Sequence, residues 1–142
     1  MKNYFTIEEL CKSETAEQFN IDNVPDTNIT NNLQQLIEFL NPIRDAWGSA
    51  LIVTSGYRCE KLNQMLGGSD TSAHKLGWAV DLIPSNGKIE EFEQFLIKYV
   101  KDNKIMWDQI LIEKSGNSTW IHIGIYNQYM TQRQQIKYMF IK

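Results

Sequence analysis

Apolar side chains return every three or four positions between residues 31 and 47. Leu33, Leu36, Ile37, Leu40 and Ile43 fall on one face, with polar residues between them, and that spacing predicts an amphipathic helix. Pro42 lacks a backbone donor and predicts a kink or a fresh turn within it. Gly48 predicts its end. A second stripe, Ile89, Phe92, Phe95, Leu96, Tyr99 and Val100, predicts a helix over 88–101. Two shorter helices are predicted. One opens at Thr6, where Thr6 and Glu9 have capping-box spacing; the other covers 60–66 and stops at Gly67-Gly68. Residues 13–30 are polar and turn-rich and read as an ordered surface loop.

Elsewhere the period shortens. Residues 50–55 are apolar and β-branched, which predicts a buried strand. Residues 78–83 form a second strand, with Ala79, Asp81 and Ile83 on one face and Trp78, Val80 and Leu82 on the other. Residues 108–113 and 119–126, joined by the polar stretch 114–118, predict a hairpin. Ile121, Ile123 and Ile125 must face a core, so Trp120, His122 and Gly124 face away from it. On the partner strand Ile110 and Ile112 go with the core, and Gln109, Leu111 and Glu113 with His122. A symmetric loop sets Glu113 opposite Trp120 and Leu111 opposite His122, so that Glu113 is a diagonal neighbour of His122 about 7 Å away at the backbone. The tail, 128–142, is ambiguous between strand and helix. The pattern is α+β, a small mainly antiparallel sheet flanked by helices, and the 142 residues make a single domain, 1–142.

Composition narrows the function classes. A formal charge of −3 leaves no basic stripe to neutralise phosphates, which argues against nucleic acid as the main partner. No apolar run is long enough to span a bilayer, so membrane insertion is not expected. The first residues, Met1-Lys2-Asn3-Tyr4-Phe5-Thr6, lack the apolar segment of a secretory signal, and synthesis in the cytoplasm is expected. Cys11 and Cys59 are too far apart for a CxxC motif and read as reduced thiols.

Candidate chemistry centres on the only two histidines. His74 lies in a loop with Gly77 just before the second strand, and His122 in the last. Asp81 interrupts an apolar strand, where a lone carboxylate is costly and a divalent cation removes that cost. Each residue alone has a plainer reading. A strand histidine is more often structural, a buried aspartate is more often hydrogen-bonded, and Glu113 beside a polar loop is usually solvated. Arg58 alone reads as a surface ion pair, and Trp107 and Trp120 as core or rim packing. Together, two imidazoles and a carboxylate are an ordinary zinc donor set, and three protein ligands leave a fourth position open for water.

The series Ser55-Gly56-Tyr57-Arg58, Leu62-Asn63, Gly67-Gly68, Ser72-x-His74-x-x-Gly77-x-Ala79-x-Asp81 and Trp120-x-His122 resembles the zinc D-Ala-D-Ala carboxypeptidase family, whose wider superfamily includes lysostaphin-type peptidases and the hedgehog signalling domain. Phe5-Thr6-Ile7-Glu8-Glu9-Leu10 and Asn23-Val24-Pro25 are similar to its single-domain phage and bacterial branch. The resemblance implies Zn²⁺ held by His74, Asp81 and His122. It implies that Arg58 holds a substrate carboxylate or carbonyl, and that Ser72 shapes the site, with Trp120 beside the substrate. Many members carry an acidic base three residues before the last histidine, where this chain has Thr119. The hedgehog-like arrangement has a glutamate near the end of the preceding strand, and Glu113 matches it, with Glu60 as fallback.

The expectation is a monomeric zinc peptidase acting on peptidoglycan stem or cross-link peptides, of carboxypeptidase or endopeptidase type. An endolysin-like setting follows, in which a phage or prophage product reaches the cell wall after release. The rivals are a zinc-binding recognition module without catalysis and a structural virion component.

Overall fold

The computed structural model describes residues 2–141. Five helices, α1 (Ile7–Cys11), α2 (Glu14–Gln18), α3 (Thr27–Trp47), α4 (Glu60–Met65) and α5 (Ile89–Asp102), accompany five strands. The strands are β1 (Leu51–Ser55), β2 (Ala79–Pro84), β3 (Gln109–Ser115), β4 (Ser118–Gly124) and β5 (Gln135–Phe140), and they form one sheet in the order β1-β2-β4-β3-β5. Only β3 and β5 run parallel. The fold class is α+β, as the hydrophobic pattern predicts.

One face of the sheet is covered. Val80, Leu82, Ile110, Ile112, Ile121 and Ile123 are buried with Leu36, Leu40 and Ile43 of α3 and Phe92, Leu96 and Val100 of α5. Each large side chain fully removed from water here contributes about 1.5–3 kcal/mol. The opposite face carries Asp81, Leu111, Glu113 and His122 and borders an open cleft. The hairpin register is the one the sequence predicts, with Glu113 opposite Trp120 and Leu111 opposite His122. The connecting loop is shorter than 114–118, because the strands run on to Ser115 and from Ser118.

Four expectations change. The predicted loop over 13–30 holds α2, capped by Ser13 Oγ accepting from the Ala16 amide at 3.2 Å. It also holds the first turn of α3, capped by Asp26 Oδ1 accepting from the Ile29 amide at 2.8 Å; both starts are polar and lack an apolar stripe. Secondly, no fresh turn starts at Pro42, and α3 runs through it as one helix. The Glu38 carbonyl, deprived of its donor by the proline, belongs to an exposed residue and can be hydrated. Thirdly, β1 is an edge strand with Ile52 46% exposed, not a buried one. An apolar run of five or six residues does not tell an edge from a centre. Finally, the ambiguous tail contributes β5, fixed by its pairing with β3 rather than by its own pattern.

Candidate metal centre

Asp81 and His122 are paired across β2 and β4 on the open face. Side chains at such positions lie close enough to touch, and His122 Nδ1 is 2.9 Å from Asp81 Oδ1. His122 Nε2 turns towards Gly124, where an added Cβ would lie 3.5 Å from it.

His74 arrives from a 3₁₀ turn, Ala73–Leu76. Ser72 caps that turn through Oγ, which accepts from the His74 amide at 3.2 Å. Gly77 ends it at φ +76°, and a Cβ there would stand 3.0 Å from the Ile29 carbonyl oxygen, so both backbone conformation and space demand glycine. The chain is thereby turned directly into β2. His74 Nδ1 donates to the Gly56 carbonyl at 2.8 Å, and the Arg58 amide donates to the His74 carbonyl at 3.1 Å. The ring is buried.

That hydrogen bond decides which nitrogen faces inward. A carbonyl only accepts, so Nδ1 carries the proton, and the Nε2 lone pair faces Asp81 Oδ1 at 3.2 Å. Burial lowers His74 below its ordinary value, against the pull of Asp81, and so favours the neutral ring. Burial alone would raise the Asp81 carboxyl, but the two imidazoles set against it, His74 and His122, outweigh that and hold the group far below the usual range. A lone pair and a carboxylate facing each other in a buried site repel unless a cation lies between them. One donor atom from each of His74, Asp81 and His122 lies within 4.8 Å of the others. Two imidazoles and one carboxylate, buried and converging, fit a zinc ion.

The remaining candidates surround this cluster. Glu113 Oε1 is 3.9 Å from His122 Nδ1. Burial, and then the charge of Asp81, raises its carboxyl above the ordinary value, against His122, the Trp120 indole and Arg58. Arg58 Nη2 is 3.6 Å from Asp81 Oδ2, and Nε donates to Ser55 Oγ at 3.0 Å. Burial lowers the guanidinium, while Asp81 and Glu113 pull it back up. Ser72, Trp120 and all five of these charged or ligating residues line one cleft of about 600 Å³. Glu60 does not line it; it is exposed and reaches Lys75 Nζ at 3.4 Å. Thr119, opposite Lys114 in the hairpin, is absent from the cleft wall as well.

Sequence reasoning gave no role to three features in or behind this wall. The Gly56 carbonyl fixes the His74 tautomer, and a backbone acceptor leaves no mark in a sequence. Asn63, buried beneath the loop before Ser72, donates from Nδ2 to the Ser69 carbonyl at 2.8 Å; it stood in the motif without an assigned function. Asp108 and Arg133 form a fork-to-fork ion pair at one end of the cleft, across a stretch of chain with no periodic signal.

The family model for peptidase M15 matches residues 3–124. The chain belongs to the peptidase M15 family, the zinc D-Ala-D-Ala carboxypeptidases. M15 peptidases are zinc-dependent hydrolases that act on peptidoglycan peptides, and the buried His–Asp–His cluster of this member fits that cofactor. None of the curated proteins compared with it matches. Among the described residues no helix of this M15 family member is long and apolar enough to cross a membrane.

Proposed function

We propose that this M15 member hydrolyses an amide bond in peptidoglycan stem or cross-link peptides, with His74 Nε2, an Asp81 carboxylate oxygen and His122 Nδ1 as zinc ligands and Glu113 as the proton carrier. The observation that carries the reading is the convergence of those three donors within 4.8 Å, with Glu113 Oε1 3.9 Å from His122 Nδ1. Zinc bound there supplies Lewis-acid polarisation of the scissile carbonyl and lowers the pKa of a water.

The side chains divide the remaining work. The acidic residues of the cleft wall are Asp81, Asp108 and Glu113. Asp81 serves as ligand. Both oxygens of Asp108 are occupied by Arg133, and Asn127 also donates to Oδ1. Glu113 is therefore the carboxylate left to take a proton from the attacking water and hand it to the leaving amine. The Trp120 indole lines the same cleft wall and counters the effect of burial on the Glu113 carboxyl. Arg58, with Nε held by Ser55, presents its other donors to a carbonyl or carboxylate of the peptide. Ser72 shapes the wall by capping the turn that carries His74. Release to the cell wall in a phage or prophage setting, as an endolysin-type protein, is the biological context that fits this substrate.

The test is digestion of purified peptidoglycan by the native protein, by protein stripped with a chelator, and by stripped protein given zinc again. Cleavage that stops and returns with zinc supports the reading. Cleavage indifferent to the metal overturns it. Zinc-dependent binding of wall peptides with no cleavage by the wild type favours the recognition-module alternative.

A further inference from the structure

The cleft extends past the metal centre to the far side of the sheet. Arg58 follows β1 at one edge of the strand order, and Arg133 immediately precedes β5 at the other; both line the cleft. Arg133 lies beyond residues 3–124, the part of the chain matched by the family model, and within the tail that has no readable periodicity.

Arg133 is held unusually firmly for a residue so accessible. Its Nε and Nη2 donate to Asp108 Oδ1 and Oδ2 at 2.8 and 2.7 Å, and its backbone amide donates to Asp108 Oδ1 at 3.0 Å. Asp108 is 2% exposed and takes a further bond from Asn127 Nδ2 at 3.2 Å. Asn127 Oδ1 in turn accepts from the amides of Tyr129 and Thr131, which shapes the loop leading to Arg133. The Arg133 side chain is nonetheless 43% exposed. A guanidinium has five N–H donors, and Asp108 uses two of them, so Nη1 and the second Nη2 proton remain unspent. Fixing the plane in advance removes the side-chain entropy that an exposed arginine would lose on gripping a ligand.

We propose that Arg133 is a specificity residue that recognises a carboxylate of the substrate peptide on the opposite side of the scissile amide from Arg58. The inference rests on the peptidase reading above and deepens it. A carboxylate bound by the spare edge of Arg133, and a peptide group bound by Arg58, require a substrate that continues in both directions from the cleaved bond, as an endopeptidase substrate does. Along β3, Gln109 to Glu113 spans about 13 Å, so the recognised carboxylate sits within about four extended residues of the scissile amide.

The experiment uses zinc-loaded full-length protein and a set of purified wall stem peptides in which each carboxylate in turn is converted to its carboxamide. For the wild type, one amidation raises KM about tenfold or more, the loss expected for one charged hydrogen bond, with kcat little changed. Arg133→Gln shows the same rise on the unmodified peptide and no further rise on that amidated form. Arg133→Lys, which keeps a cation against Asp108 but loses the fork, falls between them and serves if the glutamine variant does not fold. Equal losses on both peptide forms in the variants, or a wild type indifferent to every amidation, overturn the proposal and leave the peptidase reading intact. Calorimetry of the same peptides with Glu113→Gln protein reads Arg133 without turnover. If no peptide is cleaved yet amidation still weakens binding through Arg133, it is the peptidase reading that fails.

Discussion

The Nδ1 atom of His74 donates to the carbonyl oxygen of Gly56 at 2.8 Å, across a separation of 18 residues. Gly56 is itself pinned, because a Cβ on it would stand 2.1 Å from the Leu10 carbonyl oxygen. The packing of α1 against the end of β1 therefore reaches the candidate metal centre through one hydrogen bond. A bond of this kind, to the ring nitrogen away from the metal, typically changes metal affinity 10–100-fold when lost. Gly56→Ala is expected to lower the melting temperature, since backbone has to move to admit it, at a cost of about 1–3 kcal/mol. Zinc affinity falls with it by about tenfold or more. Thermal unfolding and a competitive zinc titration check both.

Glu113→Gln removes the proposed proton carrier and keeps the shape. The zinc content of the variant stays that of the wild type, and kcat for wall peptides falls by about 10²–10⁴, the usual worth of a positioned general base. Metal analysis beside steady-state kinetics separates this outcome from loss of the metal. Full activity in the variant would remove Glu113 from the mechanism.

Asp81→Asn acts on the metal rather than on proton transfer. The carboxylate is buried between two imidazoles and Arg58, and it is the only anionic ligand of the proposed zinc site. The variant is expected to lose zinc and cleavage together while keeping its fold, because the exchanged side chain has nearly the same volume. Metal analysis and circular dichroism on one preparation test this.

Asp108 provides a pH-dependent contribution to stability at the opposite end of the cleft. Burial alone would raise its carboxyl, but hydrogen bonds and charge from Arg133, with help from Asn127, outweigh it and hold the group below the usual carboxylate range. A carboxyl lowered on folding adds stability above its unfolded value, about 3.9. That stability is lost as pH falls through the lower folded value. Melting temperatures measured between neutral and acid pH are expected to stay level for the wild type until near pH 4 and then fall. In Arg133→Gln, where the depressing partner is gone and burial pushes the carboxyl up, stability is lower at neutral pH and the Asp108 part of the acid-side fall disappears.

The hairpin was readable in the sequence because Ile121, Ile123 and Ile125 leave only one way to face a core, and a strand of period two then fixes where Glu113, Leu111 and His122 point. The motif residues 55–81 and 120–122 were readable through family resemblance, and the family match covers both stretches. What was not readable is what depends on distant pairing. Nothing local says that β2 lies beside β4, which brings Asp81 to His122. Nor does the run Leu51–Ser55 reveal that it forms a sheet edge. The helix α2 is five residues long and α3 begins on polar residues, so their caps at Ser13 and Asp26 outweigh a stripe that is absent there. The tail becomes a strand because β3 offers it an edge. Its ion pair joins residues 25 apart, with no spacing rule to announce it.

The measurement that bears most directly on the central claim is mass analysis of the peptides released from purified peptidoglycan, with zinc content determined on the same protein samples. Zinc-loaded wild type is expected to give new fragments formed by hydrolysis of one defined amide; chelated protein gives none, and zinc restores them. Asp81→Asn gives none under any condition. Identical fragments from chelated wild type, or from the Asp81→Asn protein free of zinc, would contradict the account.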